Sequence, residues 1–259
     1  MKIFVCVKQV PDTETKIRLK SDNSGIDETS IKWILNPYDE FAVEEGIKLK
    51  ESQTNSSLTI VSLGPKKRTT ETIRTALAMG ADDGIVIDAP DFVDGHLTAK
   101  ALAAAIRAEG SFDLILTGKL AIDDNNAFVS QALAEELGIP HATVISKLTR
   151  QEPNATIVER EVEGGTREVI ELIGPSVIAA NKGLNTPRYA SLPGIMKAKK
   201  KPVKELGLGD LNIDISSKKI GYLDFQLPPE KPPTRMLEGD IKSQVSDLVR
   251  LLKQESKVL

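Results

Sequence analysis

Apolar residues in the first 145 positions fall into short dense blocks separated by longer stretches of helical spacing. Ile3-Phe-Val-Cys-Val7, Leu58-Thr-Ile-Val-Ser-Leu63, Gly84-Ile-Val-Ile-Asp88 and Phe112-Asp-Leu-Ile-Leu-Thr117 each read as a strand buried on both faces. Gln9 to Thr13 breaks the first run, and Thr15 to Leu19 alternates into a small hairpin turned at Asp22-Asn-Ser-Gly25. Asn36-Pro37 opens a helix: Asn36 suits the N-cap, Pro37 the first helical position, and Asp39 and Glu40 the positive end of the dipole. Phe41, Val43, Ile47 and Leu49 supply its apolar positions. Further helices are expected from Thr69 to Met79, stopped by Gly80, from His96 to Glu109, and from Asn125 to Leu137, closed by Gly138 and Pro140. Strand and helix in alternation imply a parallel sheet covered on both faces.

The pattern changes after the strand Ala142-Thr-Val-Ile-Ser146. Thr156 to Glu163 and Thr166 to Leu172 alternate about Gly164-Gly165, which reads as a hairpin. Its acidic residues read as a solvated face rather than a carboxylate pair. Ser176-Val-Ile-Ala-Ala180 is a further buried strand. From Thr186 to Pro202, Pro187, Pro193 and Pro202 forbid a long helix or a central strand. Leu206 to Leu211 and Leu227 to Pro233 read as an extended arm. A helix from Glu238 to Glu255 follows, with Ile241, Val245, Leu248, Val249 and Leu252 on one stripe and Asp240 and Lys253 at dipole-matched ends. The expected fold class is α/β: a mostly parallel, Rossmann-like sheet with helices on both faces, plus a β-hairpin and an extended C-terminal arm ending in a helix. The expected division is a nucleotide-binding body over 1–202 and the arm over 203–259.

Charge singles out one stretch. Arg188, Lys197, Lys199, Lys200, Lys201 and Lys204 lie together with no acidic residue among them. Taking those six from the 34 basic residues leaves 28 against 37 acidic ones, so the rest of the chain stands at −9. A local cationic patch on an acidic body argues against bulk attraction to nucleic acid or to a membrane surface. Aromatic content of 4% argues against stacking platforms for single-stranded nucleic acid. The exposed-looking Tyr189, Leu192, Pro193, Ile195 and Met196 beside Lys197, Lys199 and Lys200 suit docking to an acidic partner. The alternative is a loop that tucks its apolar residues into its own core. The lone Cys6 excludes an internal disulfide, and two histidines are too few for a histidine metal cluster. No signal peptide, transit peptide or membrane span is visible, which fits a bacterial-type cytoplasmic protein. No catalytic constellation stands out, so the chain does not read as an enzyme.

In open α/β sheets ligands bind beyond the carboxyl ends of the strands. The loops there are 6–12, 34–39, 63–66 and 118–131. The last runs from Gly118 into a helix whose free amides suit a phosphate. It is not a Walker loop, and no Gly-x-Gly-x-x-Gly follows the first strand. A capped helix with a polar loop is the alternative.

Arg188-Tyr-Ala-Ser-Leu-Pro-Gly-Ile-Met-Lys-Ala-Lys-Lys-Lys201 closely resembles the recognition loop of electron transfer flavoprotein β subunits. It includes, as Leu192, the leucine that the family inserts into dehydrogenase partners. Val5-Cys-Val-Lys8, Asn36-Pro37, Val61 to Pro65, Glu71 to Asp82, Gly118 to Asp124 and the Val-Glu-Arg-Glu hairpin resemble further family blocks in family order. The resemblance implies AMP in a structural role, with adenine near the loop after the first strand and the Asn36-Pro37 turn, and phosphate at the start of the helix after Gly118 to Asp124. Carried over, it implicates Cys6, Asn36, Pro37, Tyr38, Asp39, Leu63, Gly118, Lys119, Leu120, Ala121, Ile122, Asp123, Asp124, Asn125, Asn126, Ala127, Phe128 and Val129. Thr13 falls where a family position lies near the flavin. The chain departs from the family at Phe128-Val129-Ser130, where Gln-Thr-Gly or Gln-Val-Gly is usual; a backbone cradle tolerates such side-chain change. The resemblance further implies an α subunit holding most of an FAD and embraced by this chain's tail. Electrons would come from acyl-CoA dehydrogenases and similar flavin dehydrogenases and leave to a membrane quinone oxidoreductase. Two alternatives stay open: a bifurcating member with a second FAD in this site and NADH as donor, and a stand-alone nucleotide hydrolase or ATP-binding module.

Overall fold

Eleven strands and six α-helices form in the computed structural model, which describes residues 1–151 and 154–259. In chain order the strands are β1 (Lys2–Cys6), β2 (Gln9–Pro11), β3 (Trp33–Leu35), β4 (Ser57–Gly64), β5 (Asp83–Asp88), β6 (Leu114–Gly118), β7 (His141–Gln151), β8 (Ala155–Glu161), β9 (Arg167–Ile173), β10 (Ser176–Ala180) and β11 (Val203–Gly207). The helices are α1 (Pro37–Ser52), α2 (Lys66–Met79), α3 (Gly95–Ala108), α4 (Val129–Leu137), α5 (Leu192–Ala198) and α6 (Ile241–Gln254).

Nine strands make one sheet in the order β11-β5-β4-β1-β6-β10-β7-β8-β9. Pairing is parallel from β11 to β7, and β7-β8-β9 is antiparallel, so the α/β class and the hairpin stand as expected. Residues of β1 alternate between two cores, as a strand covered on both sides requires. Ile3 and Val5 pack with α1 and α2, while Phe4 and Cys6 pack with α3 and α4.

Several boundaries differ from the sequence reading. The expected hairpin turned at 22–25 is present only as one antiparallel bridge, Leu19 to Ile26; Thr15 to Arg18 forms no strand, and the longer pairing lies at the base of that excursion, between β2 and β3. The helix expected from Asn125 begins at Val129. The chain from Val203 does not leave the body: β11 extends the sheet beyond β5, and the first compact unit runs to Asp224 rather than ending at 202. The second unit, Phe225–Leu259, carries α6, whose Asp240 side chain accepts a hydrogen bond from Ser243 N. Among the described residues no helix is long and apolar enough to cross a membrane.

Candidate functional site

Strand order reverses at β1: from it the chain progresses one way through β4 and β5 and the other way through β6 and β10. A crevice opens beyond the carboxyl ends of strands at such a switch point. Cys6 and Gly118 end β1 and β6 there, and Leu63 is the last residue but one of β4. Asn36 and Asp39, at the start of α1, join them.

Asp39 is buried and links three segments. Its Oδ2 accepts from Lys8 N at 2.7 Å and its Oδ1 from Gly118 N at 3.0 Å. Gly118 permits that approach because a Cβ there would lie 2.7 Å from the Tyr38 carbonyl carbon. Burial pushes the Asp39 carboxyl up to about 7, against the pull of the two N–H donors and Lys8. Asn36 sits at the N-cap position, but its side chain does not cap α1. Instead its Nδ2 donates to Leu120 O at 2.9 Å and its Oδ1 accepts from Ile122 N at 3.2 Å. Lys8 Nζ completes the set, reaching Asp123 Oδ1 at 2.9 Å and Asp124 Oδ2 at 3.1 Å. Burial opposes the Lys8 charge, but the two carboxylates outweigh it and its pKa is raised. Residues 118–124 are thus held by Asp39, Asn36 and Lys8 in turn. Cys6 lies beneath, its thiol pushed up by burial and then by Asp39, so it is no nucleophile at neutral pH.

Beyond Asp124 the loop turns through Asn125 and Ala127, both at positive φ, before α4 begins. Phe128 precedes α4 without a side-chain cap. Its half-exposed ring lies against Gly95, where a Cβ would come within 2.7 Å of Cδ1. Ser130 points inward and its hydroxyl meets that of Thr117 at 2.7 Å. Lys119 Nζ stands 4.9 Å from the centre of the Tyr38 ring.

A second feature lies on α5. Ser191 caps it, accepting from Gly194 N at 3.1 Å, and Pro193 falls in the first turn, where proline is tolerated. One side is fixed to the body: Ala198 is buried, Arg74 donates to Ala198 O and Lys201 O at 2.5 Å each, and Lys201 Nζ donates to Leu77 O at 2.9 Å and to Ala81 O. Burial and then Lys50 lower the Lys201 pKa. Upstream, Arg188 Nε meets Glu44 Oε2 at 2.8 Å and its Nη1 meets Glu51 Oε1 at 2.7 Å. Glu51 and then Glu44 raise the Arg188 pKa. On the other side Tyr189 is 97% exposed, Leu192 80% and Met196 63%, with Ile195 partly so. The apolar residues therefore do not tuck into the chain's own core. Three of the six basic residues are engaged within the chain: Arg188 and Lys201 are held internally and Lys204 pairs with Glu109 at 2.7 Å, while Lys197, Lys199 and Lys200 are exposed.

A family model described as the electron transfer flavoprotein domain matches residues 24–211. Electron transfer flavoprotein subunit beta of Bacillus subtilis is 41% identical over 263 residues, with both chains covered in full. The human protein of the same name is 39% identical over 261 residues, covering 100% of this chain and 99% of its own. The chain belongs to the electron transfer flavoprotein β-subunit family. Its work is electron transfer.

As an electron transfer flavoprotein β subunit, the chain brings Cys6, Asn36, Pro37, Tyr38, Asp39 and Gly118 through Asp124 to one place. Asn125 to Val129 continue the rim into α4. Thr13 is exposed and bonds only its neighbour Asp12, at 3.5 Å; among the described residues no hydrogen bond joins it to the cluster. The site residue that sequence reasoning missed is Lys8. Its signal was there: a lysine placed directly after a buried parallel strand stands at the mouth of the crevice.

Proposed function

We propose that this chain is the β subunit of a heterodimeric electron transfer flavoprotein. It completes the flavin pocket of an α subunit that holds most of the FAD, binds AMP structurally at the switch point, and presents Leu192 to acyl-CoA dehydrogenases and similar flavin dehydrogenases. Electrons then pass to a membrane quinone oxidoreductase. FAD, when bound, supplies the electron-accepting chemistry. The chain's own residues bind and orient, and it is a carrier rather than an enzyme.

One observation carries this reading: Leu192 and Met196 are exposed on a helix, with Tyr189 exposed just before it, and the helix's opposite side is fixed by Arg74, Lys201 and the buried Ala198. An apolar row held out from the body in this way suits a pocket on another molecule. AMP fits the other site on chemical grounds. The loop before α4 passes through positive φ at Asn125 and Ala127, the start of α4 lacks a side-chain cap, and Gln131 on its first turn buries an Oε1 without a partner among the described residues. Amides at a helix start suit a phosphate, and an acceptor without a partner suits a ribose hydroxyl. The family's usual Gln and Gly are absent, but Phe128 turns onto Gly95 and Ser130 onto Thr117, so neither side chain needs to enter the cradle. The 225–259 arm engages the α subunit through the exposed stripe of α6.

Purification with the α subunit, a visible spectrum and nucleotide release test this together. One flavin with AMP per heterodimer is expected. Two flavins without AMP would mean a bifurcating carrier, and a colourless preparation would overturn the assignment.

A further inference from the structure

We propose that Asp39 is the positioning group of the nucleotide site: its carboxylate fixes the loop after β1 and the end of β6 in the shape that receives the nucleotide, without touching the ligand. The inference rests on the AMP reading above.

Both carboxylate oxygens face inward. One receives Lys8 N at 2.7 Å and the other Gly118 N at 3.0 Å, and the residue is 5% exposed. Those two amides belong to neighbouring strand ends, so one side chain sets the separation of the two loops that wall the crevice. The rest of the wall hangs from the same two points. Lys8 extends from the first loop to Asp123 and Asp124. Asn36, three residues before Asp39, fixes Leu120 and Ile122 downstream of Gly118. An acceptor-only group suits this place, because two N–H donors converge on it, and Asp39 is one above about pH 7, where it is ionised. An amide at position 39 has the same shape but only one acceptor, and its NH2 would face one of the two N–H groups and release that loop. Charge-assisted hydrogen bonds of this kind are about twice as strong as neutral ones. The ligand therefore meets a wall already formed.

The test compares native complex, this chain with its α subunit, with the Asp39→Asn complex, both at a pH above the Asp39 value of about 7, where the native side chain is ionised. AMP is stripped and rebound, and amide exchange is followed at Lys8 and Gly118. Slow exchange at both amides of the stripped native complex is expected. Asp39→Asn should speed exchange at one of them at least about tenfold and raise the Kd for AMP by about tenfold or more. A core variant, Ile73→Val, whose side chain packs on Gly84 at the amino end of β5, opposite to the strand ends that line the crevice, should lower thermal stability yet leave the AMP Kd unchanged, which separates positioning from general loosening. Asp39→Asn complex that binds AMP as tightly as native overturns the inference alone. Native complex that binds no AMP overturns the nucleotide reading and this inference with it. Should Asp39→Asn fail to assemble, unprotected Gly118 and Lys8 amides in the stripped native complex would still refute it, and protected ones support it.

Discussion

A single side chain sets the expected docking strength. Leu192 is 80% exposed, and full burial of a leucine contributes about 1.5–3 kcal/mol. Leu192→Ala should therefore weaken reduction of the carrier by a dehydrogenase at limiting carrier by about tenfold or more, with flavin content unchanged; equal rates would count against the dock. Asp39 gives a second residue-scale expectation. Its carboxyl is pushed up to about 7 from an ordinary 3.8, so the folded protein holds a proton that the unfolded chain has already lost between those values. Ionisation thus costs stability as pH rises from about 4 to about 7. The stability of the native protein relative to Asp39→Asn should fall across that window and level off above it, read as the difference in thermal midpoint at each pH. Residue identity carried part of this site openly. Asn36 and Asp39 were legible as helix-start residues, but their real partners, Leu120, Ile122, Lys8 and Gly118, lie up to 86 positions away and no local pattern announces them.

Elements were most legible where burial repeats. β10 emerges with the boundaries its apolar run implies, because a strand covered on both faces leaves a continuous signature. β11 was missed for the opposite reason. Val203-Lys-Glu-Leu-Gly207 lies at the sheet edge, where lysine and glutamate are tolerated and blunt the edge against other strands. α5 was also hidden, since three prolines within seventeen residues read as loop; Ser191 capping and Pro193 in the first turn reconcile proline with one short helix. That helix depends on its clamps more than on propensity, for seven residues are too few to stand alone. Glu44 is buried and faces Arg188, so Arg188→Met leaves a carboxylate without its partner. A cost of about 1–3 kcal/mol is expected, discounted because Arg188 is partly exposed. It should appear as faster proteolytic cleavage between 186 and 200, with the dehydrogenase rate falling more than the melting temperature. Unaltered cleavage there would show that α5 is held by Arg74 and Lys201 alone.

At the scale of the molecule, α1 spans both sites. Its first turn holds the crevice through Asp39, and Glu44 and Glu51, farther along, hold the segment leading to α5. The crevice and the segment that carries α5, the two places proposed for nucleotide and partner, are thus built on one element within the 1–224 unit. The 225–259 unit is of another kind. Leu227 to Pro233 is proline-rich, and α6 exposes Ile241, Val245, Leu248 and Val249 on the stripe that the sequence marks as apolar. A short helix with an exposed apolar stripe gains little from folding by itself, and covering the stripe on a partner supplies what its own segment lacks. Ending the chain after Asp224 should then separate two properties. The sheet from β11 to β9 lies wholly within the remaining residues, so far-UV circular dichroism should keep its strand signal and the thermal midpoint should move by only a few degrees. Association with the α subunit should weaken by orders of magnitude, since several apolar side chains worth about 1.5–3 kcal/mol each when fully buried are removed. Co-purification and sedimentation with the α subunit measure this directly. A truncated chain that still binds as tightly would place the subunit interface on the body and leave the arm without that role.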